Sequence, residues 1–209
     1  MRISIFALTL ILLCACSHQQ SSTVSEIGAI LHTQLDSFIS QFPARSLPLS
    51  IRACDLTIYP ALKHAEGNLA HKDKFDEALA YGRIKSNGTY TAVITLGMAD
   101  CLLPILTTLD KDGKQIDQKM IAIGHCGSGP GFICTEVMTM RADYSLYAAD
   151  TISEWEINDS TGMILPGGEK VTYVEYVKGQ LLSNGKIQLS PILKDTLKVE
   201  RVTQLDTIR

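Results

Sequence analysis

The apolar positions of the chain change their spacing once. Up to Phe42 they recur every three or four residues, and beyond Tyr81 every second residue. Thr23-x-x-Glu26 has the form of a capping box. Behind it, Val24, Ile27, Leu31, Leu35, Phe38 and Phe42 form one stripe of a helix that Pro43 ends. Residues 44–80 follow neither period. Leu47-Pro48-Leu49 reads as extended, and Leu69–Ala80 as a short helix with Leu69, Phe75 and Leu79 inward. Gly67 interrupts whatever precedes it.

In Thr89–Leu96, Tyr90, Ala92, Ile94 and Leu96 alternate with Thr89, Thr91, Val93 and Thr95, the pattern of a half-buried strand. Ser86-Asn87-Gly88 precedes it and predicts a type I′ hairpin turn. Leu102–Leu109 is a more continuous apolar run, and Pro104 within it predicts an edge strand or a bulge. Asp110-Lys111-Asp112-Gly113 then turns the chain into Lys114–Ile123. Further strands are predicted over Ile133–Met140, Ser145–Ile157 (one or two), Val171–Leu182 and Lys186–Leu189, the last two joined by Ser183-Asn184-Gly185. The pattern Gly82-x-Ile84-x-Ser86-Asn87-Gly88 returns as Gly179-x-Leu181-x-Ser183-Asn184-Gly185, which we read as shared turn chemistry rather than duplication. A helix followed by short alternating strands predicts an α+β fold, an N-terminal amphipathic helix packed on an antiparallel β-meander of six to eight strands.

Composition narrows the class without changing this picture. The chain has 209 residues, 45% of them hydrophobic and 20% charged, so it can bury a core. Its net charge of -3 argues against nucleic acid as a partner, and no polybasic patch suggests contact with lipid headgroups.

The first residues, MRISIFALTLILLCAC, carry one positive charge at Arg2 and then an apolar run too short to span a bilayer. The ending Leu13-Cys14-Ala15-Cys16 resembles the bacterial lipobox, in which Leu at −3 and a small residue at −1 precede the cysteine that takes the lipid. Cys14 follows Leu13, which is not small, so Cys16 is the expected lipidation site; the alternative is a plain secretory leader. Acyl chains such as palmitate on that sulfur would anchor the chain stably. The expected organisation is a lipoprotein signal peptide over 1–15, the lipidated Cys and a tether over 16–22, one globular domain over 23–190, and a C-terminal strand or tail over 191–209.

Export implies an oxidising compartment, where the remaining Cys54, Cys101, Cys126 and Cys134 would pair. Cys126 and Cys134 flank a turning loop, GSGPGFI, and would face each other across a hairpin centred on Pro130, leaving Cys54 for Cys101. The alternative is four buried free thiols.

Candidate chemistry is sparse. In His125-Cys126-Gly127-Ser128-Gly129-Pro130-Gly131 the glycines would let backbone N–H groups approach an anion, which makes His125, Gly127, Ser128 and Gly129 a possible ligand loop. The loop is neither a nucleophile elbow nor a P-loop. As strand neighbours, His125 and Cys126 would point to opposite faces, so His125 is poorly placed to activate the thiol. No spacing selects His32, His64 or His71 in its place. His64 and His71 have no completing ligand set, and Asp110-x-Asp112-Gly113 lacks the later acids of an EF-hand, so no metal or cofactor is expected. Glu154 and Glu156 would share a strand face as solvated acids, and Trp155, Tyr144, Tyr147, Tyr173 and Tyr176 read first as packing. No catalytic residue is assigned.

The lipobox, the helix, Leu47-Pro48-Leu49, Tyr81-Gly82-Arg83-Ile84 and the stretch Leu106–Asp117 (LTTLDKDGKQID) together resemble small lipoproteins of the Bacteroidota with no assigned activity. The resemblance covers most of residues 24–125 and implies an envelope location without transferring a catalytic residue. Extracytoplasmic O-glycosylation in that group uses Asp, then Ser or Thr, then an apolar residue or Thr. Thr151, Ser160, Thr196 and Thr207 stand in such triplets, where average composition gives roughly one. Ser17-His18-Gln19-Gln20 lacks the acidic cluster that resembles a surface-export signal there, which favours the periplasmic face of the outer membrane. The expected function is that of a cell-envelope lipoprotein, a non-enzymatic binding or structural module whose partners are the membrane through its lipid and a protein, peptide or glycan. The alternatives are an envelope thiol enzyme or hydrolase using the His125–Gly131 loop, and an inhibitor or immunity lipoprotein.

Overall fold

The computed structural model describes residues 35–54, 59–61, 78–127 and 129–202. Strands take up more than half of these residues. In chain order these are β1 (Ala44–Arg45), β2 (Leu49–Arg52), β3 (Leu79–Ile84), β4 (Thr91–Met98), β5 (Leu102–Leu109), β6 (Gln115–Met120), β7 (Phe132–Met140), β8 (Ser145–Trp155), β9 (Glu169–Leu181), β10 (Ile187–Leu189) and β11 (Leu193–Arg201). One sheet has the order β1-β3-β4-β5-β6 and the other β10-β9-β8-β7-β2. β11 pairs with the earlier part of β9, below the segment taken by β10. All pairings are antiparallel except β1 with β3.

The expectation of a helix packed on a single meander is overturned: the described chain is mostly β, with little helix, and the two sheets cover each other. The reason lies in which residues complement which. Ala92, Ile94 and Leu96 of β4 and Leu106 of β5 meet Met138 and Met140 of β7, Leu146 and Ala148 of β8, and Val177 and Leu181 of β9 in one buried cluster. Each sheet thus supplies the apolar cover that the helix stripe alone was expected to give. Helical geometry is described over residues 35–40, and the earlier positions of the expected stripe lie outside the described residues. Leu35, Phe38 and Phe42 pack on the opposite face of the first sheet, against Ala80, Val93 and Leu109. Strand β4 is therefore buried on both faces, with Val93 at 0% and Thr95 at 1% exposure, rather than half-buried.

Three local expectations also change. Leu79 and Ala80 begin β3 instead of ending a helix. Pro104 sits in an interior strand, between β4 and β6. Its carbonyl accepts Ile121 N–H at 2.9 Å, and the β5–β6 ladder has already ended at Ile105–Met120, so the side that lacks an N–H meets no strand. Asn87-Gly88 is not a two-residue turn: residues 85–90 link β3 to β4, and neither Asn87 nor Gly88 has positive φ. Gly88 is needed for another reason. A Cβ there would lie 2.0 Å from the carbonyl oxygen of Ser183, so the two Ser-Asn-Gly segments pack tip against tip across the sheets. The second is a true β9–β10 hairpin turn, with Gly185 at φ +81°.

Polar bonds also tie the two sheets together. Buried Thr108 donates to the carbonyl of Gly185 at 2.7 Å, and Asp117 accepts the N–H of Ile187 at 2.9 Å. Asp110 caps its own turn by accepting the N–H groups of Asp112 and Lys114, each at 2.9 Å, so Asp110–Gly113 is a hairpin turn. Truncating Phe42, which is 1% exposed, is expected to cost about 3–5 kcal/mol in urea denaturation if the segment after residue 35 belongs to the cooperative core. A loss below about 1 kcal/mol would show that it does not.

Candidate functional site

The inner face of the second sheet turns from apolar to charged along its length. On β7, Met140 and Met138 give way to Glu136; on β8, Leu146 and Ala148 give way to Asp150; on β9, Leu181 and Val177 give way to Glu175. Register brings the three acids into one row, Glu136 opposite Asp150 and Asp150 opposite Glu175, and Lys194 of β11 extends it opposite Glu175. Directly paired residues on one face have Cβ atoms about 4.5–5.5 Å apart.

The segment after β6 covers this row in place of a strand. Gly124 N–H donates to Glu136 Oε1 at 3.0 Å, and His125 N–H donates to Asp150 Oδ2 at 2.9 Å. The His125 ring meets Glu175 Oε2 through Nδ1 at 2.6 Å, and Lys194 Nζ donates to Glu175 Oε1 at 3.1 Å. Lys194 also lies 3.4 Å over the centre of the Tyr173 ring, whose hydroxyl donates to Glu154 at 2.7 Å. The two ends of the row thus differ in kind: Glu175 is answered by an imidazole and an ammonium group, while Glu136 and Asp150 are answered only by amides.

Burial sharpens the contrast. Glu136 is 2% and Asp150 0% exposed, and Glu136 Oε2 and Asp150 Oδ1 have no hydrogen-bond partner. Desolvation, with the Asp150 charge added to it, pushes Glu136 up to about 7. Burial also raises Asp150, against the lowering effect of the His125 and Cys126 N–H groups. The hydrogen bond from His125, and then the one from Lys194, hold Glu175 below its ordinary value.

Both cysteine pairs are disulfides, Cys126–Cys134 and Cys54–Cys101. Cys126–Cys134 fastens the covering segment to β7. Cys54–Cys101 joins the end of β2 to the start of β5, and so links one sheet to the other. Gly131, at φ +66°, closes the loop where a Cβ would lie 2.5 Å from Ile157.

The structure therefore separates the expected site residues. His125 belongs to the row, with its ring half exposed. Gly127 and Gly129 lie in the loop beyond it, Gly129 bridged to Phe132, and Ser128 lies outside the described residues. Residues 123–127 have no strand geometry, so His125 and Cys126 do not diverge; both side chains reach the same face of the second sheet. Cys126 in a disulfide offers no thiolate nucleophile. Glu154 and Glu156 do not act as a pair: Glu154 takes the Tyr173 hydroxyl, and Glu156 accepts the N–H of Glu169. Thr151, Ser160 and Thr196 are exposed. Thr207, Cys16, His32, His64 and His71 lie outside the described residues.

A concavity of about 750 Å³ opens beside β6, β9 and β10 and is lined by Lys119, Lys178, Gln180, Gln188, Leu189 and Ser190. It shares no residue with the carboxylate row. No family model, curated protein or solved structure matches the chain.

The row has a measurable signature. Glu136 holds a proton in the folded state up to about pH 7 that it releases lower when unfolded, so its contribution to stability is complete below about pH 4.5 and lost as pH rises to about 7. Asp150, also raised, adds a loss of the same sign over its own range. Urea midpoints are expected to fall over this window in the wild type and to fall less in Glu136→Gln, which has no proton to lose. Parallel pH profiles for the two proteins would contradict the assignment.

Proposed function

We propose that the chain is a lipid-anchored module of the cell envelope that works by binding, its domain held on the periplasmic face of the outer membrane by acylated Cys16. The pair of disulfides carries this reading, because such bonds persist in oxidising compartments and are rare in the cytosol. The Leu13-Cys14-Ala15-Cys16 segment supports the anchor. Among the described residues no helix is long and apolar enough to cross a membrane. The exposure of Thr151, Ser160 and Thr196 suits modification of the folded domain by O-linked sugars.

The concavity beside β10 is the seat we assign to a ligand. Its volume falls in the roughly 300–1,000 Å³ range of small-ligand sites. Two lysines and two glutamines in its wall suit an anionic, hydrogen-bonding ligand, such as an acidic peptide segment or an acidic glycan.

Cys16→Ala is expected to abolish incorporation of labelled palmitate and to release the protein from washed membranes. Retention of the variant on those membranes would place the anchor elsewhere. For the ligand, native mass spectrometry of the membrane-extracted protein is expected to show an adduct that Lys119→Glu with Lys178→Glu removes. A bare mass in both proteins would count against the concavity as a binding site.

A further inference from the structure

We propose that Cys126–Cys134 is a reversible thiol–disulfide exchange site that takes dithiols as its substrate class, with the buried Glu136–Asp150 pair serving it as proton donor and acceptor. This goes beyond the anchored binding module and does not rest on it.

Three observations meet at one place. A carboxylate oxygen of Asp150 and the sulfurs of Cys126 and Cys134 all lie within 4.8 Å of one another. Cys134 and Glu136 stand two residues apart on β7, and therefore on the same face. Asp150 Oδ1 and Glu136 Oε2 are buried acceptors without a donor. Leaving an acceptor unpaired out of water is costly, and a disulfide cannot relieve it because neither sulfur carries a proton. Reduction changes that: two S–H groups would appear within reach of the Asp150 carboxylate, whose cross-strand neighbour is Glu136. The oxidised form is thus the one with orphaned polar atoms, and the reduced form is the one that can satisfy them. Cys54–Cys101, in the same chain, provides the internal reference.

The exchange balances without a further co-reactant. A substrate thiolate, its proton lost to solvent, attacks Sγ of Cys134, the more exposed of the two cysteines. The Cys126–Cys134 bond breaks, and Cys126 leaves with the electron pair and takes a proton from the carboxyl pair, which solvent replaces. The second substrate thiol, deprotonated, attacks the substrate sulfur of the mixed disulfide and expels Cys134, which takes up the proton that thiol released. The dithiol is oxidised to a disulfide, and Cys126 and Cys134 are reduced to thiols. The groups facing the pair are the His125 ring, Glu175 and Lys194, with Tyr173 beside them. The His125 ring and Lys194 tie up Glu175 and leave Glu136 and Asp150 as the acids without a side-chain donor.

The test uses the oxidised full chain in detergent, under native conditions, with dithiothreitol from pH 6 to pH 8. Free thiols are alkylated at intervals and each disulfide is followed by peptide mass. Access alone would favour Cys54–Cys101, since Cys54 is exposed and Cys126 buried; with the carboxyl pair supplying the leaving thiolate's proton, Cys126–Cys134 is expected to open at least about tenfold faster, with the β-sheet circular dichroism retained. Its rate per thiolate is expected to fall as pH rises past about 7, where Glu136 gives up its proton. Glu136→Gln and Asp150→Asn are expected to slow opening by about tenfold or more and to flatten that profile. Two disulfides that open together, opening only on unfolding, or a flat wild-type profile would overturn the proposal, and none of these readings needs a variant to fold. Variants that fold and open at the wild-type rate would overturn it as well.

Discussion

Two buried carboxylates held against each other set the terms for the part of the molecule beyond its two-sheet core. Glu136 and Asp150 are neighbours across a ladder, so register alone brings their charges together. The only hydrogen-bond donors the structure gives them are backbone N–H groups of the segment after β6. That segment has no ladder of its own, so the carboxylates in turn answer amides that no strand pairs. Each side depends on the other. The path of residues 121–127, the reach of His125 to Glu175 and the placement of Cys126 over Cys134 all follow from this exchange of polar groups.

The rest of the architecture protects the arrangement. Two sheets pack face to face through an apolar interface, and that interface stops where the acids begin. Beyond that point the covering segment takes over from the first sheet, and Cys126–Cys134 pins it down. On the opposite face of the first sheet, Leu35, Phe38 and Phe42 seal Val93 and Leu109, which leaves β4 the most enclosed strand of that sheet. The charged row thus lies past the two-sheet core, with buried Ile152 and Tyr173 beyond it, close to solvent at His125 and Lys194 and closed to it at Asp150.

Much of the strand content was legible in the chain, because a period of two survives wherever one side of a strand is buried. β5 was readable with its bounds, and the hairpin turns at Gly113 and Gly185 were readable from the backbone freedom of glycine. Both cysteine pairings were readable from the loop that separates Cys126 from Cys134. The division into two sheets was not, since a strand's own residues do not say whether a helix or another sheet will cover it. The helix stripe, and the threonines of β4 that looked solvent-facing, pointed to the wrong cover. The carboxylate row was half visible. Glu136, Asp150 and Glu175 each interrupt an inward apolar series, and an acid at such a position is a signal in itself. That they stand side by side depends on register between strands, which no local pattern records.

The Cys54–Cys101 bond has a mechanical consequence. A pull on the chain ahead of residue 35 would first strip away the helical turn and the two-residue β1, and then peel β2 from β7. Peeling would stop at Cys54, because the load passes there to the start of β5, a strand flanked on both sides. The covalent link turns an unzipping geometry into a shearing one, and a domain tugged from that end would keep both its sheets.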